Sequence, residues 1–300
     1  NLLGLSLREI GQIGGGKNKQ THVIDLAMIQ SLRDMEDAES FFSNYGFIIV
    51  DECHHVPAFS FESCVKKAPV RHLLGLTATP YRRDGLQDII LMQCGPIRYR
   101  ISSRSSSQRD LRLELLVRET NFRLEAPEET PIQDVFRALV HDGERSRAIC
   151  QDISEALGEG RRCLVLSQWR EHCRILAEQM SAQGKNPLVL DGGLRKKERA
   201  ALFKAIRDTP SDDDLLVIAT GQYLGEGFDC PQLDTLFLVF PQAFRGRLVQ
   251  YTGRLMRTFE GKRTVRVYDY ADAQVPVLRK MHSKRLKTYR SLGFVEQTKE

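Results

Sequence analysis

Two periodicities alternate along this chain. Short apolar runs rich in Val, Ile and Leu are separated by stretches whose apolar residues return every three to four positions. Val23–Met28, Phe47–Val50 and Leu73–Leu76 read as buried strands in the first part. Cys163–Ser167, Leu188–Leu190, Leu215–Ala219, Thr235–Phe240 and Val265–Tyr268 read as strands in the second. The helical period runs through Trp169–Gln183, Lys196–Asp208 and Arg245–Met256. Apolar strands joined by amphipathic helices predict parallel sheets covered on both faces. The pattern appears twice, which predicts an α/β fold of two domains.

The expected seam is polar. Ser102–Ser107 is a low-complexity run, and Ala126–Pro131 is punctuated by two prolines. Between them Leu111–Val117 alternates weakly and predicts an edge strand. The expected divisions are a first domain over 1–101, a linker with that edge strand over 102–130, and a second domain over 131–300.

Composition narrows the class. A hydrophobic fraction of 41% and a charged fraction of 28% are those of a globular protein, not of a disordered or collagenous one. The longest apolar runs are strand-sized, well short of the roughly 20 residues a bilayer requires. Seven cysteines, an odd number without a CxxC pair, argue for reduced thiols and a cytoplasmic location. The chain begins at Asn1 without a basic-then-apolar leader, so it is expected to be a piece of a longer parent with further domains. Charge is unevenly spread: residues 1–100 hold 11 Lys and Arg against 11 Asp and Glu, whereas residues 242–300 hold 14 against 5. Such an excess can hold a polyanion by counterion release.

The candidate chemistry begins where Phe47–Val50 runs into Asp51-Glu52-Cys53-His54. A parallel strand ending in two acids presents them at the sheet's carboxyl edge, where open α/β folds bind ligands. Adjacent acids suit phosphoryl transfer: one holds Mg²⁺ through its water shell, and the other orients and deprotonates an attacking water. A second strand ends in Thr77-Ala78-Thr79-Pro80. Further on come Ala219-Thr220-Gly221, Gly225-Glu226-Gly227-Phe228-Asp229 and Gln250-Tyr251-Thr252-Gly253-Arg254-Leu255-Met256-Arg257. Arg254 and Arg257 sit three apart on a predicted helix, so both guanidinium forks would project from one face toward a polyphosphate.

In that order these segments resemble the DExH box, the Thr-Ala-Thr motif, the Gly-Phe-Asp motif and the Gln-x-x-Gly-Arg-x-x-Arg motif of superfamily 2 helicases and translocases. Asp51–Pro57 with Ser60-Phe61-Glu62 is most similar to the branch of excision-repair helicases and type III restriction subunits. The resemblance implies two RecA-like domains with parallel sheets, the first incomplete, and ATP with Mg²⁺ held between them. Asp51 would help hold the metal and Glu52 would be the hydrolytic base. His54, Thr77 and Thr79 would couple nucleotide state to the nucleic-acid groove. Gly227 and Asp229 would meet the nucleotide from the second domain, with Gln250, Arg254 and Arg257 completing the site. Asp25–Leu32 is similar to the family's strand-to-backbone motif, which offers Gln30 to nucleic acid. It departs from that motif at Met28, where a Thr is usual. Thr220 is the corresponding contact in the second domain. The implied partner is DNA, RNA being the alternative, and no membrane is involved. A non-catalytic nucleic-acid-binding module is the rival from another class.

Gly11-Gln12-Ile13-Gly14-Gly15-Gly16-Lys17-Asn18 nearly spells a phosphate loop. Asn18 lacks the hydroxyl that such a loop gives Mg²⁺, and no helix is predicted to follow. Only 34 residues separate Lys17 from Asp51, too few for the elements the family places between them. The segment reads as a basic Gly-rich loop, the true phosphate loop is expected upstream of Asn1, and the fragment alone is expected to be inactive. The Cys53, His54, His55, Cys64 and Cys163, His172, Cys173 groups lack zinc-site spacing. Trp169, opening an amphipathic helix, reads as a core anchor rather than a base-stacking ring.

Overall fold

A computed structural model describes residues 3–35, 37–55, 63–64, 66, 68–78, 85, 87–100, 111–124, 130–210, 212–221, 228–242 and 245–297. The chain divides into two units, Asn1–Arg100 and Ile101–Glu300.

In the first unit β1 (Ile10–Gly14) and β2 (Lys17–Lys19) form an antiparallel hairpin, and β3 (Ile24–Ala27) lies parallel to β1 on its other side. Gly15 and Gly16, at φ 64° and 79°, supply the paired left-handed turn that a two-residue hairpin requires. The near phosphate loop is therefore a β-hairpin turn. Short helices α1 (Ile29–Arg33) and α2 (Ala38–Ser43) follow, and Leu32, Phe41 and Phe42 pack on Ile13. The strands β4 (Phe47–Val50) and β5 (His72–Gly75) pair in parallel as a separate two-stranded sheet, with α3 (Gln87–Cys94) packing Ile90 against Val50 and Cys53.

The expectation that these strands are buried needs correction. Leu26 is 62% exposed, Phe47 54% and Ile49 56%. Apolar runs signal burial on both faces only when elements cover both, and among the described residues one face of β4 and β5 has no such cover.

The second unit meets the parallel-sheet expectation in full. Its strands are β6 (Arg112–Glu119), β7 (Cys163–Ser167), β8 (Leu188–Leu190), β9 (Leu216–Thr220), β10 (Thr235–Leu238), β11 (Thr264–Ala271) and β12 (Val295–Glu296). They line up parallel in the order β12-β6-β11-β10-β7-β9-β8. Alternate side chains serve two cores. Leu164, Leu166, Val217 and Leu236 face one core, shared with α7 (Lys196–Asp208), α8 (Arg245–Leu255) and α9 (Pro276–Leu292). Val165, Ile218 and Phe237 face the other, against α5 (Gly143–Gly158) and α6 (Arg170–Ala182). Each fully buried side chain of this kind stabilises the fold by roughly 1.5–3 kcal/mol.

A third cluster gathers Phe122, Phe240 and the helix α4 (Ile132–His141), and the Trp169 ring stacks on Phe240 as the core-anchor reading expects. The expected edge strand lies instead inside the sheet, since β6 pairs with β11 on one side and β12 on the other. Residues 111–124 thus belong to the second unit. The alternation of β6 is weak because four consecutive residues, Leu113–Leu116, are buried.

One carboxylate organises the first unit. Asp25 accepts hydrogen bonds from the Thr21 N–H and hydroxyl, both at 2.8 Å, from the His22 N–H at 3.1 Å, and from the Tyr45 hydroxyl. Its carboxylate lies so close to Gly11 that any Cβ there would overlap it. Burial opposes ionisation, but the bonds from Tyr45, Thr21 and His22 outweigh it and hold the carboxyl at about 2. A depressed folded value stabilises above the ordinary 3.8 and loses that contribution as pH falls toward 2. Thermal melting of wild type and Asp25→Asn should therefore differ most near neutrality and converge only as pH falls through about 2. Curves that stay parallel across the acid range would remove this role.

Candidate active site

The apolar strand β4 delivers Asp51 and Glu52 to its carboxyl end. Glu52 adopts φ 50°, a left-handed backbone rare for a residue with a side chain. Its N–H donates to Asp51 Oδ1 at 2.9 Å, while Leu76 N–H donates to the Val50 carbonyl and Cys53 N–H to the Leu76 carbonyl, each at 2.9 Å. This turn aims His54 at the end of β5. His54 Nδ1 lies 3.0 Å from Thr77 Oγ1 and 3.2 Å from Glu52 Oε2. Three of the expected residues, Glu52, His54 and Thr77, are thus one connected group, with the exposed Asp51 carboxylate beside it.

Cys53 turns the other way. A Cβ on Gly75 would sit 3.0 Å from its sulfur, so glycine there permits the close approach. Burial, with Cys94 adding to it, pushes the Cys53 thiol up to about 11, which makes it a packing group and not a nucleophile or ligand. Gln30 is exposed on α1, and Met28 stands at that helix's N-cap with its N–H bonded to the Ile13 carbonyl at 2.9 Å. Thr79 lies outside the described residues.

In the second unit the expected arginines and Asp229 gather at Phe228-Asp229, and Gly227 lies outside the described residues. Arg254, in the last turn of α8, donates to the Phe228 carbonyl, and Arg257 pairs with Asp229. The helix ends at Leu255, so Arg257 lies beyond it and the two guanidinium groups do not share a helix face. The final turn tightens instead, with Arg257 N–H reaching the Arg254 carbonyl at 3.4 Å. Both arginines still converge on Phe228-Asp229. Gln250 is half-buried one turn before Arg254. Thr220 ends β9 with only 5% of its surface exposed, so the structure places this expected nucleic-acid contact in the interior.

Two contributors escape the sequence reading. Tyr251 donates its hydroxyl to the Gly221 carbonyl at 3.1 Å, anchoring α8 to the end of β9. Lys262 donates to the carbonyls of Pro231 at 3.0 Å, Leu233 at 2.6 Å and Arg257 at 3.1 Å, and to that of Leu255. One ammonium therefore ties the turn after Asp229 to the end of the helix that bears Arg254. A cation at a helix C-terminus also complements the dipole. No sequence period marks a lysine as buried; its place directly after Gly261 is the one available signal.

Among the described residues no group of three or more His, Cys, Asp and Glu side chains could hold a metal ion. A single exposed carboxylate at a strand end still fits Mg²⁺, which keeps several waters and shares its remaining positions with phosphates. The hairpin Gly11–Lys17 does not fit a triphosphate, because a phosphate cradle is a loop opening a helix.

The comparisons agree with this geometry. Residues 5–82 match the type III restriction enzyme res subunit, and residues 145–259 match the helicase conserved C-terminal domain. The DNA 3'-5' translocase XPB2 of Sulfurisphaera tokodaii is 33% identical over 31% of this chain and 20% of its own. These matches, which together span most of the chain, support a superfamily 2 helicase of the type III restriction and excision-repair branch. Probable helicase D10 of Escherichia phage T5 is 25% identical over 95% of this chain and 61% of its own. The chain spans 48 to 64% of the length of the curated relatives that match most of it. Among solved structures, UvsW of phage T4 covers 98% of the chain and 63% of its own at 16% identity and a TM-score of 0.50. Dbp5 of S. cerevisiae covers 96% of the chain and 69% of its own at 12% identity and a TM-score of 0.59, which shows the RecA-like fold.

Lys262 makes a separable prediction about the second unit. Burial pushes its ammonium down to about 8 from the ordinary 10.5. A lowered lysine disfavours the folded state while charged, so wild-type stability should rise as pH climbs from about 8 to 10.5. Lys262→Met removes that rise and speeds amide exchange at Leu233 and Arg257. Unchanged exchange there would show that the four carbonyl bonds hold nothing.

Proposed function

We propose that this chain is the hydrolytic and nucleotide-sensing part of an ATP-dependent DNA helicase or translocase. The observation that carries this reading is the contiguous Glu52–His54–Thr77 group at the carboxyl ends of two paired strands. In this reading Glu52 accepts the proton of the water attacking the γ-phosphate. Asp51 holds a water of the Mg²⁺ shell, and the metal supplies neutralisation of charge on the phosphates. The His54 imidazole stands 3.2 Å from the Glu52 carboxylate and shares its Nδ1 hydrogen bond with Thr77 Oγ1, and in this reading it carries a displacement of Glu52 to Thr77. Thr77, and Thr79 with it, transmits nucleotide state toward the nucleic-acid groove.

In this reading Arg254 and Arg257, with Gln250, Gly227 and Asp229, are assigned to the nucleotide as well. The Arg257–Asp229 pair is half-exposed on both sides, 49% and 48%. Exposed pairs are weak, so a triphosphate can take the guanidinium from Asp229 at little expense. DNA is the track we assign, on the strength of the excision-repair relatives; Gln30 is the contact we assign to it.

The test uses the full-length gene product. DNA-stimulated ATP hydrolysis should fall at least about 100-fold in Glu52→Gln while nucleotide affinity stays within a few-fold, as expected for loss of a general base. Arg257→Ala should slow turnover far more than it weakens nucleotide binding, the split expected of a group used in the transition state. A Glu52→Gln enzyme with undiminished turnover would overturn the assignment. Stimulation by RNA alone would reverse the choice of track, and salt-dependent DNA binding with no hydrolysis at all would favour a binding module.

A further inference from the structure

Every charged residue of α9 is a cation: Arg279, Lys280, Lys284, Arg285, Lys287 and Arg290. Arg285 is taken inside, with both its Nε and Nη2 at 2.7 Å from the Asp269 carboxylate. The other five are exposed, interleaved with the exposed Ser283 and Ser291. At 100° per residue these seven positions occupy an arc of about 140°, opposite the buried Leu278, Arg285, Thr288, Tyr289 and Leu292.

Nothing in the helix's own stability asks for this arrangement. Arg279 and Lys280 sit near the N-terminus, where the dipole is already positive and acids are favoured. Lys280 and Lys284, Lys284 and Lys287, and Lys287 and Arg290 are like-charged neighbours at helical spacing, each pair mildly destabilising. Among the described residues Glu296 is the one carboxylate paired with the ridge, 3.9 Å from Arg290 in a solvent-exposed pair. Among the described residues no carboxylate pairs with Arg279, Lys280, Lys284 or Lys287. A surface kept positive against these costs is complementary to an external polyanion.

Its form selects which polyanion. From Arg279 to Arg290 the ridge runs about 16 Å at 1.5 Å per residue, which is about five phosphates of one strand at 3.4 Å each. The arc holds lysine, arginine and serine without an aromatic ring, which suits phosphates and not base stacking. An interfacial membrane helix needs its apolar face free for lipid, whereas the apolar face of α9 is buried in the core. We infer that the exposed face of α9 is a sequence-independent binding ridge for the phosphate backbone of a nucleic-acid strand, separate from the Gln30 contact assigned above. The inference rests on reading the chain as a nucleic-acid motor.

The test measures binding of the 300-residue chain to fluorescein-labelled single-stranded DNA and RNA across a salt series. Lys280→Gln/Lys284→Gln/Lys287→Gln should reduce the slope of log affinity against log salt by about 2, and weaken binding by about 10- to 100-fold near 0.1 M salt. A control, Arg137→Gln/Arg147→Gln/Arg174→Gln, removes the same net charge from exposed positions on α4, α5 and α6 and should keep the wild-type slope. Circular dichroism on each variant separates lost binding from lost folding. An unchanged slope in the lysine variant, or an equal loss in the control, overturns the ridge. Wild-type binding to phosphatidylserine vesicles with none to either nucleic acid overturns it as well. ATP is absent from this assay, so the Glu52 experiment succeeds or fails independently.

Discussion

The buried pair between Asp269 and Arg285 is the interaction on which the second unit's working surfaces depend. Asp269 stands on β11 with no exposed surface, gripped by both arms of Arg285 and by the Tyr289 hydroxyl at 2.9 Å. Taking two charges out of water is expensive, and a buried pair is weak support for net stability. Breaking one is another matter, costing roughly 3–5 kcal/mol through the unpaired charge left behind. What the pair supplies is orientation. By drawing one arginine inward it fixes the rotation of α9, which leaves the remaining five cations facing solvent. The same guanidinium reaches the carbonyls of Gln242 at 3.4 Å and Tyr270 at 3.3 Å, so the chain leaving β10 toward α8 is held by the same group.

Ion pairs in this protein divide by burial into two kinds. Arg145 with Asp272, 2.8 Å apart and each about 1% exposed, belongs with Asp269 and Arg285 as a fixed part of the frame. Arg257 with Asp229 lies in water, where a partner can be exchanged. Lys262 stands between these cases. It is half-buried and satisfied by carbonyls, so it stiffens the segment holding Asp229 without competing for the arginines.

Much of this was legible in the sequence wherever a regular element carries an unbroken periodicity. The strands at Phe47, Cys163 and Leu188 and the helix at Lys196 fall where periodicity places them. What escaped depends on tertiary neighbours. Exposure of Phe47 and Ile49 is invisible to a rule that equates apolar runs with burial. The end of α8 before Arg257 depends on carbonyls captured from outside the helix by Lys262. The helix α9 did carry local signals, Pro276 at its first turn and Gly293 at φ 86° past its end. Its charge excess obscured the apolar face, because Arg285 occupies a position that the helical period reserves for a hydrophobic residue. The glycines of Gly11–Lys17 are explained by a hairpin turn and by the tight fit of Gly11 to Asp25, which answers their phosphate-loop likeness without a ligand.

The strained backbone at Glu52 joins the fold to the chemistry. A left-handed residue with a side chain costs about 1–3 kcal/mol and persists only where its surroundings over-determine it. Here they do: the Asp51 carboxylate takes the Glu52 N–H, and Leu76 is bonded to the backbone on both sides of the acid pair. In an extended conformation Glu52 would continue the alternation of β4 and leave His54 without its acid. The turn instead sets the carboxylate and Thr77 on one imidazole nitrogen. That shared nitrogen is the contact through which the proposed coupling of Glu52 to Thr77 would run. The ends of two strands are joined through one imidazole because one residue is held in a conformation it would not choose.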